Sequence, residues 1–183
     1  ARGAPNGTVE QALFEGLRAA NEALFSHNVR ADADSRLLLG AACVVLCGSS
    51  LYLARMGPAC IWTLTDTATA QFPLRSLWYT LASESVSDIN DEPPLGLRLD
   101  AEPETAVIAS AAGATVMLIS QTLRRRAQPT ELQRLFAGGD DALTRAMLED
   151  MAEGRDLSLL ALAVPTHGQS FAGETIDAVP WGA

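Results

Sequence analysis

Apolar residues recur at helical spacing in four parts of the chain. The first is preceded by Thr8, which together with Gln11 fits a capping box at the start of a helix. Gly154 follows the last of the four and is typical of a helix end. The pattern predicts helices over residues 8–27, 74–81, 130–137 and 140–153.

Six other stretches have the composition of strands. Two of them, residues 37–47 and 157–164, are almost entirely apolar, as expected for strands that are covered on both faces. The other four are short or alternate between apolar and polar residues. Gly57 and Pro58 separate the second predicted strand from the third. The predicted strands are residues 37–47, 51–56, 59–64, 104–110, 115–120 and 157–164. Strands that are joined by hairpins and covered on both faces predict an α+β fold, with two packed sheets and helices outside them.

Charge and composition exclude several classes of function. The net charge is −9 and all 13 basic residues are arginines, which disfavours nucleic-acid binding because phosphates attract positive charge. The longest apolar run, residues 37–47, is well short of the ~20 residues that span a bilayer, so we expect no membrane association and a cytoplasmic location. Three unpaired cysteines and two distant histidines make a zinc site improbable.

An acidic stretch, residues 83–94, is predicted to be a surface loop. Its carboxylates are candidate cation ligands, but their spacing matches no calcium-loop pattern. A solvated acidic loop is the favoured interpretation. The carboxylates concerned are Glu84, Asp88, Asp91 and Glu92.

Four segments, in order, resemble the protein phosphatase 2C-like (PPM-type) family of metal-dependent Ser/Thr phosphatases. "VEQALFEGLRAANEALF" resembles the helix that precedes the first of the family's strands concerned. "RLLLGAACVVLCGSSLYLARMGPACIW" resembles the family's stretch that leads into G-D-S-R, and "PLGLRLDAEPETAVIASAAGATVMLISQTL" resembles the stretch that ends in S-D-G. "EGRDLSLLALAV" resembles the G-x-x-D-N strand. The resemblance implies an α-β-β-α sandwich of two mainly antiparallel sheets flanked by helices and shortened at its N-terminus. The expected domain is residues 1–164, followed by a tail or arm over residues 165–183.

The same resemblance assigns the metal-binding positions. In the family, aspartates hold two Mg²⁺ or Mn²⁺ ions that activate a bridging water. Here the D of S-D-G falls on Gln121, after Ser120, and the D of G-D-S-R falls on Pro58. Only Asp156, at the D of G-x-x-D-N, keeps a carboxylate, and a salt-bridge or turn role is the favoured alternative for it. The family's early strands and D-G-x-G turn would precede residue 8, so we expect no catalytic residues and no cofactor.

These matches imply a catalytically inactive phosphatase 2C-like domain that acts as a protein-binding or regulatory module. The partner would be a phosphoprotein or a kinase, and Arg124, Arg125 and Arg126 are candidates for docking it, although a solvated face is the favoured alternative. A second hypothesis is an active Mg²⁺- or Mn²⁺-dependent phosphatase whose N-terminal strands are missing from this chain. A third is a purely structural module. A sheet edge without its usual neighbour would be covered by the C-terminal tail or a second subunit, giving a homo-oligomer.

Overall fold

The computed structural model describes residues 8–65, 68–80, 92–110, 112–126, 128, 131 and 159–165. Its helices are α1 (Val9–Arg30), α2 (Leu77–Thr80) and α3 (Gln121–Arg126), with one 3₁₀ turn at Ala33–Ser35. Its strands are β1 (Ala41–Cys47), β2 (Ser50–Met56), β3 (Ala59–Leu64), β4 (Thr69–Phe72), β5 (Glu104–Ala109), β6 (Thr115–Ser120) and β7 (Leu159–Ala163).

The strands form two antiparallel sheets, one with the order β1-β2-β5 and one with the order β4-β3-β6-β7. A shared core lies between them, where Leu51 and Leu53 of the first sheet pack with Ile61 and Val116 of the second. Adjacent side chains of a strand point to opposite faces. Trp62 therefore lies on the outer face of the second sheet, where α3 covers it.

Helix α1 covers the outer face of the first sheet. The Thr8 side chain accepts a hydrogen bond from the Gln11 backbone N–H at 3.2 Å, so the predicted N-cap is confirmed. Two buried asparagines attach the helix to neighbouring backbone. Asn28 accepts from the Leu37 N–H at 2.9 Å and donates to the Leu37 and Gly96 carbonyls at 2.7 and 2.9 Å. Asn21 accepts from the Gly96 N–H at 2.9 Å and donates to the Arg98 carbonyl at 2.8 Å.

The structure differs from the predicted elements at three places. The first strand begins at Ala41 rather than at residue 37, because Asn28 binds the backbone of Leu37 and because Leu39 pairs with Leu95. Strand β4 was not predicted, and the helix expected over residues 74–81 is described only for Leu77–Thr80. The helices predicted over residues 130–137 and 140–153 lie outside the described residues, apart from residue 131.

The layered arrangement confirms the predicted α+β sandwich. Helix α1 lies on one sheet, α3 lies against the other and contacts α2, and the described strand pairs are all antiparallel. Among the residues that the structure describes, none of the helices has the length and apolar character needed to cross a bilayer. The predicted tail, residues 165–183, lies outside the described residues after residue 165.

Candidate functional site

Two of the strand ends singled out in the sequence lie side by side. Ala59, which opens β3, pairs with Ser120, the last residue of β6. The Gln121 backbone N–H donates to the Pro58 carbonyl at 3.3 Å. The structure therefore brings Pro58, Ser120 and Gln121 together at one end of the two central strands of the second sheet, where the antiparallel register places the start of β3 beside the end of β6.

The amide side chain of Gln121 is bonded to the backbone of α2. Its Nε2 donates to the Trp78 carbonyl at 2.9 Å. A carboxylate at this position would have no proton to donate and would place a negative charge beside that carbonyl oxygen. The neutral amide thus connects the end of β6 to α2.

Arg124 is attached to the outer face of the second sheet. Its guanidinium lies 5.4 Å from the centroid of the Trp62 ring, and its Nε–H donates to Gln71 Oε1 at 2.8 Å. Gln71 also accepts from Trp62 Nε1 at 3.2 Å and donates to the Pro73 carbonyl at 2.9 Å. The guanidinium plane is consequently fixed from two directions. Arg125 and Arg126 continue the same helix.

A buried arginine that the sequence did not single out lies between the sheets. Arg55 is on the inner face of β2, opposite Glu104 of β5. Its Nη1 donates to the Gly57 carbonyl at 2.9 Å, and its Nη2 is paired with Glu92 at 3.1 Å and with Glu104. Its buried Nε has no hydrogen-bond partner among the described residues. The available signal was a single charge within the apolar alternation of "LYLARM", which requires a partner if it is buried.

Glu92 is an ion-pair partner of Arg55, and it connects Arg55 to α2. One oxygen accepts from the Ser76 hydroxyl and from Arg55, and the other accepts from the Leu77 backbone N–H at 2.9 Å. The Glu92 carbonyl accepts from Trp78 Nε1 at 2.9 Å. The sequence analysis favoured a solvated loop carboxylate at position 92. In the structure, Glu92 is instead an internal ion-pair residue. The other three acidic residues of that stretch, Glu84, Asp88 and Asp91, lie outside the described residues.

A cavity of about 540 Å³ opens beside this network. Its wall includes Arg75 and Arg124 as cations and the Glu92 carboxylate. Leu74 and Leu77 contribute apolar surface. No sequence pattern indicated this cavity, because its wall comes from β4, α2, α3 and the segments on either side of α2.

The described donors at the strand ends do not match a divalent-metal centre. Mg²⁺ and Mn²⁺ prefer carboxylate and water oxygens, whereas Pro58, Ser120 and Gln121 supply no carboxylate. Within the described ranges, no group of three or more His, Cys, Asp or Glu side chains is placed to hold a metal ion. Asp156, the remaining predicted ligand, lies outside the described residues.

No protein-family model matches the sequence, and no curated protein sequence matches it. Solved structures do match the fold. The Mycobacterium tuberculosis serine/threonine phosphatase PstP/Ppp matches with a TM-score of 0.68 and 18% identity, over 91% of this chain and 76% of that one. Serine/threonine phosphatase Stp1 from Staphylococcus aureus matches with a TM-score of 0.70 and 12% identity, over 90% and 70% of the two chains. The predicted resemblance to phosphatase 2C-like proteins is confirmed at the level of the fold.

One of these structures corrects the expectation that no cofactor belongs here. The catalytic domain of PstP, solved in complex with two manganese ions, matches with a TM-score of 0.62 and 18% identity, over 88% of this chain and 74% of that one. A protein of this fold therefore does hold divalent cations, and the expectation of no cofactor was wrong. It was based on the few carboxylates that match the family's motifs.

Proposed function

We propose that this chain is a phosphatase 2C-like domain that does not hydrolyse phosphate esters and acts as a protein-binding regulatory module. The observation that carries the proposal is the junction of Pro58 and Gln121. Both positions correspond to aspartates of the family that the chain resembles, they lie side by side, and neither provides a carboxylate.

The chemistry of the family requires charge at this place. When bound, a pair of Mg²⁺ or Mn²⁺ ions supplies an activated water for attack on the phosphate. Here the Gln121 amide is neutral and is engaged with the Trp78 carbonyl. Pro58 has no side-chain donor or acceptor at all. These residues hold the strand end to α2 and supply no carboxylate for a divalent cation.

The proposal is tested by measuring hydrolysis of p-nitrophenyl phosphate and of a phosphothreonine peptide, with Mn²⁺ and with Mg²⁺. The catalytic domain of PstP serves as the positive control under the same conditions. We expect no turnover above the buffer rate, and we expect none from Gln121→Asp, because Pro58 is unchanged. Metal-dependent turnover that is proportional to protein concentration would refute the proposal.

The second candidate function is metal-dependent phosphatase activity. The observation in its favour is the manganese-bound structure of the same fold. It predicts that Asp156→Asn lowers Mn²⁺-dependent turnover, whereas Asp100→Asn, which removes an exposed carboxylate elsewhere, does not. Turnover that neither variant changes would point to a contaminating phosphatase.

A protein partner, a phosphoprotein or a kinase, is proposed for the inactive domain. Arg124 contributes to the chain's own packing on Trp62, so Arg125 and Arg126 are the members of the run assigned to docking. Charge reversal of both should abolish binding of a candidate kinase measured by calorimetry. Charge reversal at Arg18, which belongs to an exposed ion-pair cluster on α1, should leave binding unchanged.

A second copy of this chain is proposed as the occupant of the β7 edge. Leu160 and Leu162 lie opposite the core-lining residues Leu118 and Val116, yet they are 51% and 40% exposed. Among the described residues no strand pairs with the outer side of β7, and exposed apolar residues beside such an edge favour pairing with another strand. Light scattering should show a dimer that Leu160→Glu dissociates. A monomer at every concentration would contradict this part of the proposal.

A further inference from the structure

The two sheets differ in width on one side of the sandwich. The first sheet ends at β1, which contacts β3 and β6, whereas the second continues past β6 to β7. On β7, Leu160 pairs with Leu118 and Leu162 pairs with Val116. Both partners pack in the core between the sheets, so the two β7 leucines also point inward. They are nevertheless exposed, and the described part of the first sheet has no strand beyond β1 to cover them.

The outer edge of β1 offers backbone groups to such a strand. Cys47 and Ser50 flank the two-residue turn between β1 and β2 and pair with each other. In a hairpin of this length the flanking residues form a hydrogen-bonded pair, and hydrogen-bonded positions then alternate along the strand. The N–H groups of Ala42, Val44 and Leu46 therefore point away from β2. In addition, β1 contains no charged residue and no proline that would oppose pairing. The space beside β1 and over β7 is called the β1 slot below.

The chain leaves β7 at one end of the β1 slot. Strand β1 starts beside the start of β3, where a Cβ on Gly40 would lie 2.8 Å from the Pro58 carbonyl carbon. Strand β7 starts at the same end of the sandwich, since Leu159 pairs with Ile119 near the end of β6, and β6 ends beside the start of β3. Strands β1 and β7 therefore run in the same direction. A segment that turns back after β7 runs antiparallel to β1, which is the arrangement of the described strand pairs.

The chain after β7 is long enough to occupy the β1 slot. Residues 166–183, called the tail segment below, number eighteen and lie outside the described residues. Packed sheets lie ~10 Å apart and an extended chain spans about 3.3 Å per residue, so about 3–5 residues reach the first sheet. About 13 residues of the tail segment then remain. This is more than the seven residues of β1.

One stretch of the tail segment has the pattern of a strand with an apolar face. Ile176 and Ala178 alternate with the polar residues Thr175 and Asp177. Pro180 follows this stretch and limits any pairing, because proline has no N–H to donate. A strand with this pattern can turn its apolar face to the exposed leucines of β7 and its polar face away from them.

We propose that residues 175–179 add an antiparallel strand to the outer edge of β1 and cover Leu160 and Leu162 of β7. The proposal goes beyond the proposed function, since it concerns the chain's own tail segment and needs neither activity nor its loss. It is also separate from the proposed dimer, in which a second copy pairs with the outer edge of β7 in the other sheet. Each of the two can therefore fail without the other.

The experiment is amide hydrogen exchange followed by nuclear magnetic resonance, on the full chain and on a chain that lacks the tail segment. In the full chain the N–H groups of Ala42, Val44 and Leu46 should be protected. Without the tail segment they should exchange at least about 100-fold faster, because their hydrogen-bond acceptors are gone. The N–H groups of Cys43 and Val45 point to β2 and should stay protected in both chains, which shows that the sandwich is still folded.

Two substitutions test the proposed strand within the full chain. Ile176→Asp places a charge against the β7 leucines and should expose the same three N–H groups. Gln169→Asp adds the same charge to the tail segment before the proposed strand and should leave their protection unchanged within about twofold. If the chain without the tail segment does not fold, Ile176→Asp alone decides.

Three results would overturn the proposal. The first is an absence of protection at the three N–H groups in the full chain, and the second is protection that survives both removal of the tail segment and Ile176→Asp. The third is protection that is lost on tenfold dilution of the full chain, which would assign the β1 slot to a second copy. Protection that is independent of concentration and lost with the tail segment supports the proposal.

Discussion

Removing the Glu92 side chain should destabilise this fold strongly, because it leaves a buried cation with a half-exposed counter-charge, Glu104, as its remaining described partner. Arg55 is 1% exposed and Glu92 is 19% exposed. Glu92→Ala removes the ion pair to Arg55 and the acceptors for the Ser76 hydroxyl and the Leu77 N–H. Breaking a buried pair from one side costs about 3–5 kcal/mol. We expect the free energy of unfolding to fall by that amount.

Glu104 provides the matched control within the same network. It also pairs with Arg55, but its side chain is 48% exposed and makes no second ion pair with a described residue. Exposed ion pairs contribute about 0–1 kcal/mol, so Glu104→Ala should lower the free energy of unfolding by no more than that. Glu92→Gln keeps an acceptor without the charge and should lie between the two.

Urea unfolding followed by circular dichroism measures these differences, provided that the m-value is unchanged between variants. The double variant Arg55→Met with Glu92→Leu should recover most of the stability, since an apolar pair can replace a buried ion pair. The reasoning is refuted if Glu92→Ala costs less than about 1 kcal/mol, or if Glu104→Ala costs as much as Glu92→Ala.

Two further predictions concern other parts of the sandwich. Burial raises the pKa of the Cys43 thiol, so a thiol reagent at pH 8 should modify exposed Cys47 at least about tenfold faster, as measured by mass spectrometry. Equal rates would contradict this. Gly57→Ala should cost more than ~1–2 kcal/mol, because φ is +64° and a Cβ would lie 2.6 Å from the Pro94 Cα. Gly48→Ala, at φ +58° with open space, should show the backbone cost alone in the same unfolding assay.

The strands of the core could be predicted from the sequence because their signal is local. The stretches 59–64 and 115–120 match β3 and β6 at both ends. Strand β4 could not be predicted in the same way, since Thr69–Phe72 has a mixed composition and becomes a strand by pairing with β3. Leu39 was misassigned because its backbone groups pair with Leu95, a contact that no local pattern records.

The candidate site, like the fold, could be predicted from the sequence only in part. The motif resemblance identified Pro58 and Gln121, and the antiparallel register of β3 and β6 then explains why they meet. The pairing of Arg55 with Glu92 spans 37 positions of the chain and depends on the packing of both sheets. The cavity joins residues 71–77 to Glu92 and Arg124, which lie farther along the chain, and this common location could come only from the fold.

The two buried asparagines of α1 have a consequence for how this sequence can diverge. Asn21 and Asn28 bind backbone atoms of Leu37, Gly96 and Arg98, and these atoms are present whatever side chain those positions carry. Positions 37 and 98 are thus open to substitution without loosening the helix. Gly96 is not, because a Cβ there would lie 2.6 Å from the Asn28 amide. Libraries that diversify the surface around α1 should therefore tolerate wide replacement at the first two positions and retain glycine at the third.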